Sequence, residues 1–497
     1  MNTAMLLQMA AEAGVGRFAL TSAGRHYTAA ELLAAAGGAA ERIRASGCQF
    51  VSLLDVSSAA TPVALFGAAM AGVPYAPLNY RLPAEQIRAL IARLDSLCLI
   101  ADEDSCAAHR GDPGIGEALT SAQFLEEALA HQAPEPVWPD DPGIAVQLFT
   151  SGTTGPPKAA ILRHEHLMSY ILGSVEFMSA ADDEATLVSV PPYHIAGISA
   201  LLSSIYAARR IVQLADFSAS AWLDLVEGEA VTSAFVVPTM LARIVEELEA
   251  GSGSRDLRTL RAIAYGGGHM PVSIIERALD LFPAVDFTNA YGLTETSSTI
   301  TLLGPEDHRQ AVASDDAQTR RRLGSVGQAL PSVEIEIRDP GGEALAPGQR
   351  GEIYVRGPQV SGEYRERSAV DSDGWFPTRD TGHLDADGYL HLGGRADDVI
   401  VRGGENISPA EIEAVLLTHP AVVDAAAVAV ASEQWGEAVG VAVVLKSGAS
   451  ASVDALQDLV RSQLRSSRVP EAVRFVDELP YNETGKLLRR NIKRWFA

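Results

Sequence analysis

The residues best suited to chemistry form a loop of hydroxyls, glycines and one lysine between two predicted strands. The loop reads TSGTTGPPK over residues 150–158, after the apolar run AVQLF and before AAILR. Glycines let backbone amides turn toward a phosphate, hydroxyls add hydrogen-bond donors, and a lysine adds positive charge. The loop does not match the Walker pattern GxxxxGK[ST], which argues against an ordinary kinase or P-loop NTPase. Taken alone, its composition fits a plain linker as well as a phosphate site.

Seven further motifs follow this loop in order. They are PYHIAG from residue 192, GGG from 266, NAYGLTE from 289, WFPTRD from 375, GRADD from 394, GGEN from 403 and PYNETGK from 480. Together with the loop they closely resemble the motifs of the adenylate-forming superfamily of acyl-CoA synthetases, adenylation domains and luciferases. The resemblance covers nearly the whole chain, and it is specific because the motifs keep their order at separated places.

The resemblance implies an ATP site made of several segments. Its phosphate loop comprises Thr150, Ser151, Gly152, Thr153, Thr154, Gly155 and Lys158. The turn that packs against adenine and the aromatic segment that follows comprise Gly267, Gly268, Asn289, Ala290, Tyr291 and Gly292. Asp380 matches the aspartate that accepts hydrogen bonds from both ribose hydroxyls, since a carboxylate accepts two bonds at once. Arg395 matches an arginine near ribose and phosphate.

The catalytic residues implied by the resemblance are Thr294, Glu295, Lys486 and His194, which lie in three of these motifs. Tyr291 can stack on a base, Thr294 can donate to the α-phosphate, and Glu295 can hold the Mg²⁺ that neutralises charge during displacement. Lys486 would bridge the substrate carboxylate and the α-phosphate as pyrophosphate leaves. The structural alternative for the first motif is a buried tyrosine in a strand-end turn with a solvated glutamate.

The acyl and thiol sides of the reaction are expected in other segments. His194 matches the histidine near the acyl pocket and its gate, and we place Gly197 and Tyr265 in the same pocket. Gly403 and Gly404 resemble the glycine segment that lines the pantetheine tunnel in CoA-using members, because glycine permits close passage of the thiol arm. Trp435 falls where CoA ligases often place an aromatic against the CoA nucleotide; a packed or surface tryptophan is the alternative.

Four residues at three sites depart from the pattern of the superfamily. Ala159 stands where glycine commonly follows the loop lysine, and Gly268-His269 replaces a common Ala-Pro pair. Arg379 replaces the usual glycine before the ribose aspartate, so we expect an effect on the ribose or phosphate contact. No departure removes a required chemical group.

The predicted fold is α/β, with layered sheets in a large N-terminal domain that includes a small β-barrel-like part. Short β-rich runs alternate with helical segments between about residues 140 and 290, as in a parallel sheet covered by helices. From about residue 325 the period becomes two in VEIEIRD and GEIYVRG, which predicts antiparallel strands, and the stretch HLDADGYLHLGG predicts a hairpin that turns on Asp387-Gly388. Ser408 is predicted to cap the next helix, with Pro409 first and Glu411 closing a capping box. We divide the chain into a large domain of residues 1–396 and a smaller, mobile α+β domain of residues 397–497, with the hinge at Asp397.

Composition narrows the possible partners and the compartment. The formal net charge of −24 disfavours nucleic acid and anionic membrane surfaces. Cys48, Cys98 and Cys106 lack the spacing of a zinc site or a disulfide scaffold, which indicates a reducing cytoplasm. No apolar run reaches the roughly 20 residues that span a bilayer without charge or proline, and the sequence leaves the oligomeric state open.

The predicted activity is an AMP-forming acyl- or aryl-CoA ligase that uses ATP, Mg²⁺ and CoA to activate an aryl or medium-chain carboxylic acid. One alternative is an adenylating enzyme that passes the acyl group to a carrier protein or a nitrogen nucleophile. Two others are a degenerate nucleotide-binding regulator and a metal enzyme built on His164 and His166. Domain alternation would let one site serve both half-reactions.

Overall fold

The computed structural model describes residues 1–131, 138–139, 143–150, 157–251, 255–403, 405–482 and 487–496. Within them the α-helices are α1 Ala4–Ala13, α2 Ala29–Ser46, α3 Ala60–Ala71, α4 Ala84–Ile91, α5 Glu103–His109, α6 Ser121–Ala130, α7 His164–Ser174, α8 Ile195–Ala207, α9 Ala219–Gly228, α10 Pro238–Glu249, α11 Val272–Leu281, α12 Pro305–Ala313, α13 Ala317–Arg321, α14 Pro409–Leu416, α15 Val453–Gln463 and α16 Arg489–Lys493. None of these helices is long and apolar enough to cross a bilayer.

The strands of the described residues are β1 Phe18–Ser22, β2 Arg25–Thr28, β3 Phe50–Leu54, β4 Leu97–Ala101, β5 Ile115–Thr120, β6 Ile144–Thr150, β7 Lys158–Arg163, β8 Ala185–Val188, β9 Arg210–Gln213, β10 Ser233–Val236, β11 Ala262–Gly266, β12 Asp286–Leu293, β13 Ser298–Leu303, β14 Gln328–Ala329, β15 Glu334–Arg338, β16 Gly351–Arg356, β17 Glu363–Tyr364, β18 Arg367–Ser368, β19 Phe376–Leu384, β20 Leu390–Arg395, β21 Ile400–Arg402, β22 Glu405–Ile407, β23 Val422–Ser432, β24 Gly436–Leu445 and β25 Ala472–Phe475.

The largest sheet has nine strands in the order β14-β13-β12-β11-β10-β8-β9-β1-β2. The six strands from β12 to β1 are mutually parallel, while β2, β13 and β14 pair antiparallel at the two edges. Parallel strands need crossover connections, and here helices such as α8, α9, α10 and α11 supply them. The carboxyl ends of β11 and β12 lie side by side, with Gly266 opposite Ala290.

Three smaller sheets complete the region before the predicted hinge. The strands β3, β4 and β5 form a parallel sheet, and β6, β7, β17 and β18 form an antiparallel one. The strands β15, β16, β19 and β20 form the antiparallel sheet that the period-two segments predict. β19 and β20 form the predicted hairpin, where Gly388 adopts φ +82°.

The C-terminal strands form a sheet with its own core. The antiparallel order is β22-β21-β24-β23, and β25 adds parallel to β24. Its apolar cluster includes Ile400, Leu416, Val441 and Leu456, all fully buried. The sequence-based division at residues 396 and 397 remains a prediction, with this separate core as its structural support.

The predicted capping box of α14 is wrong, although Ser408 is the N-cap residue and Pro409 is first. The Ser408 side chain makes no capping bond to the helix; it donates to the carbonyl of Gly393 instead. Glu411 is drawn away by arginines, because Arg468 Nε lies 2.8 Å and Arg350 Nη1 3.2 Å from its carboxylate. These bonds tie α14 to the end of β20.

A buried ion pair holds the C-terminal helix against this sheet. Glu413 is 7% exposed, and Arg489 reaches it through both terminal nitrogens, with Nη2 2.9 Å from Oε2. The peptide of Ala427 completes the arrangement, since its N–H donates to Glu413 Oε1 and its carbonyl accepts from Arg489 Nη1.

The Arg489→Met substitution is expected to lower the free energy of unfolding of the C-terminal region by about 3–5 kcal/mol, because it leaves the Glu413 carboxylate buried without its cation. Urea unfolding followed by circular dichroism measures the change. Arg461→Met is the matched control, since Arg461 pairs with Asp458 on an exposed helix face. Equal effects of the two substitutions would contradict the importance of the buried pair.

Candidate active site

The carboxylate of Asp380 binds side chains from two neighbouring strands. Tyr291 from β12 donates its hydroxyl to Oδ2 at 2.6 Å, and Arg395 from β20 places Nε 3.0 Å from Oδ1. Arg395 also donates to the carbonyl of Thr378 at 3.1 Å. Asp380 is 9% exposed, so the two bonds satisfy a nearly buried charge. Three predicted nucleotide residues therefore meet at one point.

The charges around Asp380 fix the protonation of its two partners. Burial and the Asp380 carboxylate together raise the pKa of Tyr291, so its hydroxyl stays a donor. Burial alone would lower the pKa of Arg395, but the charge of Asp380 and the neighbouring Tyr291 outweigh it and raise that pKa. The predicted stacking role of Tyr291 stays a prediction, while its hydroxyl has a defined partner.

Thr294 and Glu295 begin a tight 3₁₀ turn, Thr294–Thr296, at the end of β12. Glu295 is 9% exposed, its Oε1 accepts from the Tyr364 hydroxyl at 2.7 Å, and its carbonyl accepts from the backbone N–H groups of Ser361 and Gly362. The segment around residues 361–364 therefore fixes both the backbone and the side chain of Glu295.

The turn continues through two serines with left-handed backbone angles. Ser297 has φ +57° and Ser298 φ +120°, which L-residues adopt only at a cost in energy. The Thr296 hydroxyl donates to the Ser298 carbonyl at 2.8 Å, and the Gln359 amide donates to the carbonyls of Thr296 and Thr299. These bonds hold the strained turn in place.

Glycine is required beside this turn. A Cβ on Gly292 would lie 1.8 Å from the Ser298 carbonyl oxygen, and one on Gly266 would lie 2.1 Å from that of Ala290. Gly267 follows with φ +82°, and both Gly267 and Gly268 are exposed at the sheet edge. Asn289 uses its side chain structurally, donating to the Ser325 carbonyl at 3.0 Å.

The lysine of the phosphate loop also reaches this site. Lys158 opens β7 opposite Thr150 at the end of β6, and its Nζ lies 5.4 Å from the centre of the Tyr364 ring. Tyr364 thus contacts both Lys158 and Glu295. The predicted Ser151, Gly152, Thr153, Thr154 and Gly155 lie outside the described residues, as do Gly404 and Lys486.

His194 precedes α8, with its ring centroid 4.5 Å from that of Tyr193. Its Nε2 is buried and has no hydrogen-bond partner within the described part of the chain. Burial lowers the pKa of His194 to about 4, and the nearby charge of Arg81 adds to the effect. At neutral pH the imidazole is therefore uncharged.

The other two predicted acyl-pocket residues lie in different surroundings. Gly197 is buried on α8 beside a cavity of about 20 Å³, which holds roughly one water molecule. Tyr265 is fully buried, and its hydroxyl is already paired with His308 Nε2 at 2.9 Å. Ser199 Oγ, in contrast, lies 3.0 Å from Ser298 Oγ and so links α8 to the Thr294–Glu295 turn.

The predicted hinge and CoA residues lie beyond β20. Asp397 is exposed in the 3₁₀ turn Ala396–Asp398. Gly403 donates its N–H to the Trp435 carbonyl at 2.9 Å, and a Cβ on Gly403 would lie 2.9 Å from the indole ring. Trp435 is 41% exposed, with the Arg402 guanidinium 5.2 Å from its ring centre. Gly403 and Trp435 are therefore in contact.

The histidines of the metal-enzyme alternative serve other partners. His164 Nδ1 pairs with Thr3, and His166 Nδ1 accepts from the backbone of Arg163. Among the residues that the model describes, no group of three His, Cys, Asp or Glu side chains could hold a metal ion. A cation at Glu295 would thus take its other ligands from water or from a substrate.

Sequence reasoning missed Tyr364. Its only signal is an aromatic residue in the run SGEYRER, and the residue it contacts lies 69 positions earlier.

Two family models match the chain. Residues 7–365 match the AMP-binding enzyme family and residues 411–486 match the AMP-binding enzyme C-terminal domain. The chain belongs to the AMP-binding enzyme family.

Curated relatives span nearly the same length. Feruloyl-CoA synthase of Amycolatopsis sp is 32% identical over 96% of both chains. The fatty acid–[acyl-carrier-protein] ligase ScoC of Streptomyces coeruleorubidus is 32% identical over 86% of this chain and 83% of that one. Indoleacetate–CoA ligase of Aromatoleum aromaticum is 30% identical over 97% and 96%.

Solved structures share the fold. The o-succinylbenzoate CoA synthetase MenE of Bacillus subtilis, in complex with its acyl-adenylate, superposes with a TM-score of 0.83 at 29% identity, covering 99% of this chain and 98% of that one. The same synthetase with ATP and magnesium gives 0.83 at 29%, covering 98% and 99%. The amide bond synthetase McbA of Marinactinospora thermotolerans gives 0.85 at 29% identity, covering 99% of both.

These comparisons confirm the predictions of the superfamily, the α/β fold class and the ligase class. The predicted ATP, Mg²⁺ and CoA are confirmed as well, since one similar synthetase binds ATP and magnesium and the similar ligases form CoA thioesters. The roles of individual site residues remain predictions.

Acid is expected to destabilise this protein in part through His194. Its folded pKa of about 4 lies below the unfolded value near 6.5. The contribution of uncharged His194 to the free energy of unfolding is therefore complete above pH 6.5 and is lost as the pH falls toward 4. His194→Gln should flatten the decline of the melting temperature between pH 6.5 and 4.5; an unchanged decline would contradict the burial of a neutral imidazole.

Arg379 adopts φ +63° beside Asp380, the predicted ribose aspartate, and its 62% exposed side chain points to Glu352, with Nε 3.7 Å from Oε1. The left-handed conformation costs an L-residue about 1–2 kcal/mol, and substitution by glycine removes this cost. Glycine also gives the unfolded chain more conformational entropy, which cancels about half of the gain. Arg379→Gly is therefore expected to raise the free energy of unfolding by about 0.5–1 kcal/mol. The control Arg367→Gly, in the exposed strand β18, should lower the free energy of unfolding. A lower free energy of unfolding in both variants would contradict backbone strain at Arg379.

Proposed function

We propose that this chain is an AMP-forming acid–thiol ligase that activates an aryl carboxylic acid with ATP and transfers the acyl group to CoA. The observation that carries the proposal is the meeting of Tyr291, Asp380 and Arg395 next to the turn that holds Glu295. Asp380 on β19 and Arg395 on β20 would form the ribose anchor, and Tyr291 on β12 connects them to the strand after which the metal carboxylate Glu295 follows.

In the first half-reaction, a carboxylate oxygen of the acid attacks the α-phosphorus of ATP. The bond from that phosphorus to the bridging oxygen breaks, and pyrophosphate leaves. Thr294 and Lys158 bind the developing negative charge on the phosphates, and Lys486 bridges the acid and the α-phosphate. Asp380 holds the ribose, with Tyr291 and Arg395 keeping its carboxylate in one orientation.

Glu295 is the residue that would hold Mg²⁺. Magnesium commonly uses one or two carboxylates together with substrate phosphates, which suits a single buried carboxylate outside any cluster of acidic ligands in the described residues. When bound, the ion supplies charge neutralisation for the leaving pyrophosphate.

In the second half-reaction, the thiol sulfur of CoA attacks the acyl carbon, the bond from that carbon to the phosphate oxygen breaks, and AMP leaves. We propose that residues 397–497 rotate about Asp397 between the two steps. The separate core of the C-terminal sheet supports a rigid rotation, and the contact between Gly403 and Trp435, two of the three predicted CoA residues, supports a shared CoA-binding surface.

Three aspects of the substrate and setting extend the proposal. An aryl acid is favoured because feruloyl-, succinylbenzoate- and indoleacetate-CoA ligases are among the relatives. A carrier-protein thiol or an amine is the alternative acceptor, since an acyl-carrier-protein ligase and an amide bond synthetase are also similar. The three free, buried cysteines suit the cytoplasm.

A panel of acids tests the proposal directly. The purified protein is incubated with ATP, Mg²⁺ and ferulate, benzoate, indoleacetate or octanoate, with and without CoA, while pyrophosphate, AMP and thioester are measured. Pyrophosphate with a CoA-dependent aryl thioester is expected. Pyrophosphate without thioester would shift the acceptor to a carrier protein or amine, and ADP as product would contradict adenylation.

Lys486→Ala is expected to reduce adenylate formation by at least a hundredfold while sparing thioester formation from a supplied acyl-adenylate, because the two steps use different faces of the C-terminal region. Pyrophosphate exchange and thiolysis are assayed separately. Lys446→Ala serves as the lysine control and should retain both. Equal loss in both steps for Lys486→Ala would contradict the rotation.

A further inference from the structure

A short strand, β17, pairs with β7, the strand that follows the predicted phosphate loop, and its Tyr364 contacts Glu295. Its Glu363 pairs with Ile161 and its Tyr364 with Ala160 in the backbone of β7. Arg163 holds Glu363 through two bonds of 2.8 Å. The position of Tyr364 is therefore set by the sheet before any ligand arrives.

Tyr364 uses both parts of its side chain toward charged groups of the site. Its hydroxyl donates to Glu295 Oε1 at 2.7 Å, and its ring lies under the Lys158 ammonium at 5.4 Å. One tyrosine side chain therefore contacts both the carboxylate and the ammonium.

The backbone of the turn does not depend on this hydroxyl. Ser361 N and Gly362 N bond to the Glu295 carbonyl at 2.8 and 3.1 Å, and the Gln359 amide holds the residues after it. Loss of the hydroxyl alone should leave the turn intact and free the carboxylate to rotate. The hydroxyl's specific effect is on the orientation of Glu295.

We propose that Tyr364 is a positioning residue that fixes one oxygen of Glu295 so that the other is presented to Mg²⁺, and so sets the affinity of the nucleotide site for the ion. The inference rests on the proposed function, because it takes Glu295 as the metal carboxylate. Hydrogen-bond partners of metal ligands typically change metal affinity 10–100-fold when removed.

The test measures binding and does not depend on turnover. Titration calorimetry follows the binding of a non-hydrolysable ATP analogue, α,β-methylene-ATP, at increasing Mg²⁺ concentration. Tyr364→Phe keeps the ring under Lys158 and removes only the hydroxyl. We expect the Mg²⁺ concentration for half-maximal binding to rise about tenfold, with affinity at saturating Mg²⁺ nearly unchanged.

Tyr389→Phe is the matched control, because the Tyr389 hydroxyl also donates to a carboxylate, Asp307 Oδ1, at 2.6 Å. It should leave the Mg²⁺ requirement unchanged. An unchanged requirement in Tyr364→Phe, or an equal rise in the control, would overturn the proposal.

A double substitution separates positioning from a general effect on folding. In the Glu295→Gln background, Tyr364→Phe should cause no further rise in the Mg²⁺ requirement, because the carboxylate it orients has gone. Independent, multiplicative effects would overturn the proposal. If the acid panel gives no product while the ATP analogue still binds in a Mg²⁺-dependent manner, the proposed reaction is overturned. The comparison of Tyr364→Phe with the unsubstituted protein then still tests the positioning role of Tyr364.

Discussion

The arrangement of the site depends on satisfying one nearly buried carboxylate, that of Asp380. It accepts from Tyr291 at 2.6 Å and pairs with Arg395 at 3.0 Å, and these bonds join the nine-stranded sheet to the antiparallel hairpin of β19 and β20. Because Arg395 immediately precedes the Ala396–Asp398 turn, the same carboxylate anchors the chain just before the predicted hinge. Binding of the proposed nucleotide at Asp380 would therefore alter the contacts of Arg395, directly before the C-terminal region.

A second nearly buried carboxylate, that of Glu295, is likewise satisfied by a hydrogen bond, just after the end of β12. Its turn contains two left-handed serines, and it persists because Thr296, Gln359, Ser361 and Gly362 bind its backbone from two directions. Strain of this kind is tolerated where surrounding bonds overdetermine it, which happens mostly at functional sites. Tyr364 then connects this turn to Lys158, so the proposed metal carboxylate and the predicted phosphate lysine share one neighbour.

Local sequence predicted the parts of the protein that depend on local patterns. The strands from β8 to β12, the period-two strands β15 and β16 and the Asp387-Gly388 hairpin all form where patterning placed them. Contacts between distant segments could not be read in this way: Tyr364 and Glu295 are 69 residues apart, and Ser408 leaves its helix cap for Gly393. Nor could patterning show that Arg379 would adopt a left-handed angle or that the Tyr265 hydroxyl would be satisfied by His308.

Attack of the acid on the α-phosphorus transfers one carboxylate oxygen of the acid to AMP, and isotopic labelling measures this transfer. An aryl acid labelled with ¹⁸O in both carboxylate oxygens is turned over with ATP, Mg²⁺ and CoA, and the AMP is examined by mass spectrometry. The thiol cleaves the adenylate at its acyl carbon, so the bridging oxygen, which comes from the acid, stays on phosphorus. We therefore expect one ¹⁸O atom in each AMP. Unlabelled AMP, or label in inorganic phosphate, would contradict it.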